Sequence, residues 1–305
     1  MEILRTPDER FSDLADFPFE PNYVEVNAEP GSDQKLRIHY LDEGLRTGAL
    51  VLLMHGEPSW SYLYRKMIPI LVEDGFRVVV PDLPGFGRSD KPAATSDYTY
   101  QRLVDWMEAA LIDQLDLDDI TMFCQDWGGL IGLRLVAAHP ERFHRIMVSN
   151  TGLPTGHGEP PQAFLDWQRF SQTVDKFPTS GIINGGCVNE LTPAELAAYD
   201  APFPDESFKA GARVLPSLVP TSPDDPAHDA QIKAWEVLRS FHKPCLTAFS
   251  DSDPITRGGQ AVFQKRIPGA HGLAHVTILG GGHFLQEDEP AQICTHLADF
   301  VAQLN

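Results

Sequence analysis

Short apolar runs alternate with longer amphipathic stretches along most of the chain. The runs predict strands at residues 35–40, 49–54, 76–80, 120–124, 145–149, 244–249 and 275–279. Helical spacing of apolar residues is clear at 98–117 and again near the end, at 290–304. Buried strands that alternate with helices favour a mostly parallel, doubly wound α/β sheet.

This alternation fails between about Leu153 and His228. The stretch is rich in Pro and Gly and contains short helical patterns at 162–173 and 193–199, but no strand-like run of useful length. Open α/β sheets bind ligands beyond the carboxyl ends of their strands. We therefore predict a core formed by residues 1–152 and 229–305, with a helical cap at 153–228 inserted over that end of the sheet.

Composition limits the possible partners. The 305 residues are 42% hydrophobic and 22% charged, as in an ordinary globular protein with one large core. The formal net charge of −19 argues against nucleic acid or an anionic membrane as partner. It also favours a neutral substrate over an anionic one, and we expect a monomer.

Targeting and cysteine patterns favour the cytoplasm. No apolar run approaches the ~20 residues that span a bilayer, and the first ten residues lack a secretory apolar region. The four cysteines are scattered without a C-x-x-C pair, which favours free thiols in a reducing cytoplasm. They are Cys124, Cys187, Cys245 and Cys294.

The segment 124–129 carries the clearest chemical signal. It follows an apolar strand and opens a helical pattern, and its small residues allow the sharp turn of a nucleophile elbow. Hydrolases usually place Ser at the apex, but here the apex is Asp126. The alternative interpretation is that Asp126 caps the helix, as Asp often does.

A carboxylate at the apex changes which reactions can finish. A Ser that displaced a leaving group from a saturated carbon would become an ether, which water does not easily cleave. A carboxylate becomes an ester, whose carbonyl activated water can attack. Asp126 therefore indicates substitution at a saturated carbon.

A base is expected late in the chain. His283 follows the last apolar strand on a glycine-rich loop, in the order nucleophile, acid, His that is typical of this fold. It would take a proton from water. His55 is less well placed, and the pair His271 and His275 has metal-like spacing but no evident carboxylate or Cys partner. We therefore predict neither a metal site nor a cofactor.

The acid that orients His283 has two candidates. Asp251 and Asp253 both lie in the loop after the strand at 244–249, whereas the strand ending at Ser149 is followed by Asn150, which cannot carry charge. We favour Asp253, which lies two residues deeper in the loop. Either residue could instead be a turn-forming Asp.

Five segments resemble those of haloalkane dehalogenases in the α/β-hydrolase superfamily. They are 55–65, 81–92, 125–129, 200–205 and 282–288. The glycine- and proline-rich segments are typical of the whole superfamily, whereas Glu57 together with Asp126 and Trp127 is typical of the dehalogenases. The resemblance covers nearly the whole chain, and it is strongest to the subfamily whose acid follows the strand after the cap.

The resemblance implies a role for each matching residue. Asp126 matches the nucleophile that expels halide, and Trp127 matches one of two tryptophans whose indole N–H groups hold that halide. The second lies in the cap, where Trp167 is the candidate; Trp235 lies later, in a helix that we assign to the core. Glu57 matches an oxyanion-hole residue, whose backbone N–H would act with that of Trp127. The expected partners are a small neutral halogenated substrate, water and the halide product.

Two alternatives remain at this point. An epoxide hydrolase has the same fold and an Asp nucleophile, but it needs two cap tyrosines as acids, and Tyr199 is the single tyrosine between Leu153 and Trp235. A non-catalytic ligand-binding member of the fold would be expected to lack one of the three triad roles, and all three have candidates here.

Overall fold

Ten strands form two sheets in the computed structural model, which describes residues 1–302. The strands are β1 (Ile3–Leu4), β2 (Asn22–Asn27), β3 (Lys35–Glu43), β4 (Leu50–Met54), β5 (Arg77–Pro81), β6 (Lys91–Pro92), β7 (Ile120–Gln125), β8 (Phe143–Ser149), β9 (Cys245–Ser250) and β10 (Val276–Ile278). All seven predicted strands are present, and β1, β2 and β6 are additions that the apolar pattern did not indicate.

Eleven α-helices are found among residues 1–302. They are α1 (Met67–Glu73), α2 (Tyr100–Glu108), α3 (Trp127–Ala138), α4 (Gln162–Thr173), α5 (Thr179–Gly186), α6 (Pro193–Asp200), α7 (Ala210–Val214), α8 (His228–Leu238), α9 (Gln260–Arg266), α10 (Leu285–Asp288) and α11 (Pro290–Ala302). The predicted helix end at 304 and the last three residues of the predicted core lie outside the described residues.

The main sheet has eight strands in the order β10-β9-β8-β7-β4-β5-β3-β2. The six strands from β10 to β5 are parallel, while β3 pairs antiparallel with β5 and with β2. This architecture confirms the predicted mostly parallel, doubly wound sheet. Every residue of β4 and of β7 is buried, because helices cover both faces of the sheet.

The helix predicted at 98–117 is shorter and less regular than its pattern suggested. Thr99 accepts a hydrogen bond from the Arg102 N–H and caps α2. After Glu108 the backbone widens into a π-helical segment at Ala109–Gln114. The apolar residues of both parts stay buried, so the hydrophobic pattern survives a change in helix type that it could not report.

Between β8 and β9 the described chain is helical and contains no strand. Helix α5 packs against α6, and α4 packs against α7, while α8 packs against α3. The boundary of the cap at residues 153–228 remains a prediction.

A buried charged cluster joins this helical segment to the sheet. Arg65, after β4, binds Glu287 beyond β10 and lies 2.5 Å from Glu195 of α6. Tyr199, also on α6, donates its hydroxyl hydrogen to Glu287. The Arg65 side chain is fully buried, so these contacts replace its hydration and tie α6 to the core.

Candidate active site

Asp126 lies at the turn between β7 and α3. Its φ of 51° and ψ of −126° are rare for a residue with a side chain, and such strained geometry persists where the surrounding structure enforces it. Gly56 allows this close approach, because a Cβ there would lie 2.3 Å from the Asp126 carboxylate oxygen Oδ1. The Asp126 side chain makes no capping hydrogen bond to α3, which argues against the alternative helix-cap interpretation.

The Asp126 carboxylate is instead held from the opposite loop. Its Oδ1 accepts a 2.7 Å hydrogen bond from the backbone N–H of Glu57. Its Oδ2 lies 3.5 Å from Nε2 of His283, and the side chain is 22% exposed. One oxygen is therefore fixed by the backbone, while the other faces the imidazole.

His283 lies on the loop after β10, and two side chains fix that loop. The Asn150 amide donates to the carbonyl oxygens of Gly282 at 2.9 Å and of His283 at 3.2 Å. The Gln125 amide donates to the same His283 carbonyl at 3.1 Å and lies 3.0 Å from Nε2 of the ring. Neither Gln125 nor Asn150 was assigned this role from the sequence. Gln125 is the last residue of β7, and Asn150 directly follows the neighbouring strand β8.

Asp253 reaches the other nitrogen of the imidazole. Its Oδ2 lies 3.0 Å from His283 Nδ1, and the backbone N–H of Ile255 donates to its Oδ1 at 2.8 Å. Thr256 also donates to Oδ2 through its hydroxyl group. Burial alone would raise the pKa of Asp253, but His283 and these donors outweigh it and lower the pKa to about 2. Asp251 is exposed and accepts from the Gly280 N–H at 3.1 Å, so it is turned away from the imidazole.

Two carboxylates also control the charge of the imidazole. Burial lowers the pKa of His283, but the charge of Asp253 and the hydrogen bond to Asp126 outweigh burial and raise the pKa to about 10. In this geometry the imidazolium is the stable form as long as Asp126 keeps its negative charge.

The five tryptophans divide into two groups by the partner of the indole N–H. Trp60 donates to the Ala198 carbonyl, Trp106 to that of Ala28, and Trp235 to that of Leu153 at 2.8 Å. Trp127 and Trp167 have no hydrogen-bond acceptor among the described residues, and both line the same cavity as Asp126.

That cavity has a volume of about 860 Å³. Glu57, Asp126 and His283 line it together with aromatic and aliphatic side chains. The tryptophan and phenylalanine side chains in its wall are Trp127, Phe164, Trp167, Phe170, Trp235, Phe263 and Phe284. An apolar pocket with a few convergent polar groups is the usual form of a small-molecule site.

Two of the three other histidines considered from the sequence, His55 and His275, have structural partners. His55 is buried between the Gly56 carbonyl and the Leu83 N–H. His275 contacts the Thr247 N–H and the Ala270 carbonyl. Over residues 1–302, no three His, Cys, Asp or Glu side chains are grouped as metal ligands, and no helix has the length and apolar character needed to cross a membrane.

Comparisons with known proteins identify the family. Residues 49–290 match the model of the alpha/beta hydrolase fold family. The chain is 57% identical to a haloalkane dehalogenase of Psychrobacter cryohalolentis over 99% of this chain and 98% of the relative. It is 47% identical to one of Mycolicibacterium paratuberculosis, with 97% of each chain covered. The chain belongs to the haloalkane dehalogenases.

Solved structures agree with this family assignment. The tetrameric haloalkane dehalogenase DpaA of Paraglaciecola agarilytica superposes with a TM-score of 0.87 at 36% identity, covering 98% of this chain and 97% of its own. The predicted family, fold and enzyme class are thereby confirmed. This dehalogenase is a hydrolase that acts on carbon–halide bonds.

The family assignment argues against both alternatives considered from the sequence, the epoxide hydrolase and the non-catalytic ligand-binding protein. A dehalogenase is an enzyme, which removes the non-catalytic ligand-binding interpretation. The epoxide-hydrolase interpretation also lacks its acids, because Tyr199 is buried, binds Glu287 and does not line the cavity. Burial and the charge of Glu287 raise the pKa of Tyr199 well above its ordinary value, so its proton stays in that cluster.

Proposed function

We propose that this dehalogenase converts haloalkanes to a primary alcohol, halide and a proton through a covalent ester on Asp126. The observation that carries the proposal is the chain of contacts from Asp126 through His283 to Asp253, beside two indole N–H groups that have no acceptor in the described part of the chain. Asp126 acts as nucleophile, His283 as base and Asp253 as the acid that orients the base.

In the first step a carboxylate oxygen displaces the halide. Oδ1 is occupied by the Glu57 N–H, so Oδ2 is the oxygen that attacks the carbon. The carbon–halogen electron pair leaves with the halide. Trp127 and Trp167 then donate their indole N–H groups to it, since indole is a donor without acceptor capacity.

In the second step water cleaves the ester. His283 Nε2 takes a proton from water, and the water oxygen bonds to the carboxyl carbon of Asp126. The resulting oxyanion forms at Oδ1, where the Glu57 backbone N–H already donates, and the Trp127 backbone N–H is the proposed second donor. Collapse of this intermediate expels the alkoxide, which recovers the proton from His283 and leaves as alcohol. Asp126 is left as a carboxylic acid and releases the second water proton to solvent, which restores the carboxylate.

The first step also prepares the base for the second. Alkylation removes the negative charge of Asp126, which is one of the two charges that raise the pKa of His283. The pKa therefore falls in the alkyl-enzyme, and His283 releases its proton. The imidazole becomes neutral at the stage where a base is required.

A single turnover in water labelled with heavy oxygen tests the covalent route. With ethylene dibromide in deficit over enzyme, the label should enter the Asp126 carboxylate, while the alcohol carries unlabelled oxygen from Asp126. Label in the alcohol would show that water attacks the substrate directly. Styrene oxide in parallel should yield no diol.

Three further features of this dehalogenase are proposed: a cap, its compartment and its oligomeric state. We propose a cap at 153–228 over the cavity, because α4 and α5 contribute Trp167 and Ile182 to its wall.

The four free cysteines support a reducing compartment such as the cytoplasm. A monomer is supported by the few large apolar side chains exposed among residues 1–302, of which Phe170, Val188 and Val262 line the cavity. Light scattering during gel filtration would distinguish it from a tetramer such as DpaA.

A further inference from the structure

The side chain of Glu57 differs from its backbone in its hydrogen bonding. The backbone N–H holds Asp126, but no described residue donates a hydrogen bond to either carboxyl oxygen of Glu57. The residue is only 4% exposed, and it lines the cavity with Asp126 and His283. An unpartnered polar group at the reacting end of a cavity calls for a function.

Other buried carboxylates in the described chain do not share this feature. Asp82 accepts hydrogen bonds from the backbone N–H groups of Ser61 and Arg88, and Asp90 accepts from Arg5. Asp253 and Glu287 likewise have several donors. A carboxylate without donors is poorly stabilised in a buried site, which favours the neutral acid form of Glu57.

Burial and the charge of Asp126 also favour the neutral form of the Glu57 carboxyl group. Burial raises the pKa of Glu57 well above its ordinary value, the negative charge of Asp126 raises it further, and His283 only partly opposes them. The neutral form also suits the first step, because a second negative charge beside the nucleophile would oppose the approach of electron-rich halogen.

We propose that the carboxyl group of Glu57 holds the water molecule that hydrolyses the alkyl ester. The inference rests on the function proposed above. The Glu57 backbone N–H binds Asp126 Oδ1, and the Glu57 carboxyl group lines the same cavity and interacts electrostatically with both Asp126 and His283. Because His283 Nε2 lies 3.5 Å from Asp126 Oδ2, we place a water at the ester carbon between His283 and the Glu57 carboxyl group. One water proton passes to His283, while the second stays in a hydrogen bond to a Glu57 oxygen.

Glu57 therefore neither gains nor loses a proton in the reaction. Its contact restricts the water to an orientation with a lone pair directed at the Asp126 carboxyl carbon. Misplacing a reactant by about 1 Å can cost about 10²-fold in rate, so an orienting contact affects the second step strongly. The first step uses only the backbone N–H of Glu57 and is insensitive to its side chain.

Two variants separate the side chain from the backbone. Glu57→Leu keeps a similar volume but removes both oxygens, and Glu57→Gln keeps a neutral side chain with an oxygen acceptor. Rapid-quench experiments with ethylene dibromide would follow bromide release for the first step and loss of the ester mass for the second. Ester decay is a first-order rate, so it is independent of the fraction of enzyme that folded.

The expected results differ between the steps. In Glu57→Leu, ester decay should slow roughly 10- to 100-fold, while bromide release in the first turnover changes less than about threefold. Glu57→Gln should recover most of the lost decay rate. If the ester in Glu57→Leu decays at the rate of the parent enzyme, the inference is wrong. It is also wrong if both steps slow equally, or if Glu57→Gln does not recover the rate of ester decay.

A third variant separates failure of this inference from failure of the proposed function. His283→Gln should accumulate the ester whatever the role of Glu57. If His283→Gln forms no ester, the proposed covalent route is wrong. If it forms the ester while Glu57→Leu hydrolyses its own ester at the parental rate, only the role of Glu57 is wrong.

Discussion

The Nδ1 atom of His283 lies 3.0 Å from Oδ2 of Asp253. The same carboxylate accepts two backbone N–H groups and a hydroxyl hydrogen, which keep it ionised and fixed. The imidazole can therefore present Nε2 to water in a single tautomer and receive stabilisation when it becomes positively charged.

Replacing this carboxylate should impair the second step. We expect Asp253→Asn to lower the rate of ester hydrolysis by up to about 10⁴-fold, as in the equivalent change in a serine triad, because His283 loses both its orienting acceptor and the stabilisation of its cation. Asp251→Asn is the matched control, since its exposed carboxylate contacts only the Gly280 backbone among the described residues and neighbouring Ser252. Steady-state bromide release measures both, and a larger loss in Asp251→Asn would reverse the assignment.

The two steps should respond differently to acid. In the free enzyme the pKa of His283 is raised to about 10, and it falls when alkylation removes the charge of Asp126. Below the lowered pKa the imidazole is protonated and cannot accept a proton from water, so ester hydrolysis should be lost as pH falls. Bromide release in the first turnover needs no base and should be much less sensitive between about pH 5 and 8. Parallel loss of both steps in stopped-flow measurements would contradict this division.

Removing either halide donor should slow the first step. A hydrogen bond to a charged acceptor contributes about 1.5–3 kcal/mol, and most of that appears as charge builds on the leaving halogen. Trp127→Phe and Trp167→Phe should each slow bromide release in the first turnover roughly 10- to 150-fold. Each should also weaken the quenching of tryptophan fluorescence by added bromide.

Trp106→Phe is the control for both halide donors. Its indole donates to the Ala28 carbonyl and does not line the cavity, so bromide quenching and the first step should be retained. If Trp167→Phe behaves like this control, the second donor lies elsewhere. Trp235 and Asn150 are poor substitutes because their N–H groups are already bound, and Asn184 does not line the cavity.

The buried cluster between α6 and the core should contribute to stability. Arg65→Met would remove the fully buried cation of the cluster and leave Glu287 and Glu195 with the partly exposed Lys66. Loss of one partner of a buried ion pair costs about 3–5 kcal/mol, and Lys66 should keep the loss near the lower value. The free energy of unfolding in urea measures this effect. Arg46→Met, whose partner Asp42 also binds Arg77, should cost less than about 1 kcal/mol, because Arg46 is 70% exposed. Equal losses would show that the cluster has no special role.

Local patterns predicted where the candidate site residues lie relative to the strands. Strand ends follow from the alternation of apolar runs, and parallel strands bring their carboxyl ends to one edge of the sheet. For that reason Asp126, His283 and the loop containing Asp253 could all be placed near one another. Trp167, in α4, was proposed as a halide donor only through family resemblance.

Long-range geometry could not be predicted from one sequence. Asp251 and Asp253 occupy the same loop, and only the folded chain decides which carboxylate reaches Nδ1. Gln125 and Asn150 contact the His283 loop across more than a hundred residues, with no local pattern to indicate it. The edge strand β2 was missed for a similar reason, since one of its six residues is buried and its pairing with β3 defines it.

If the reaction passes through an ester on Asp126, that ester should accumulate when the base is removed, and the mass of His283→Gln after reaction with ethylene dibromide measures it. Without its base the enzyme should release about one bromide per active site and then stop. The mass of the protein should rise by one bromoethyl group, located on the peptide that contains Asp126, and Asp126→Ala should release no bromide. Sustained turnover by His283→Gln, or an unchanged mass after bromide release, would contradict the account.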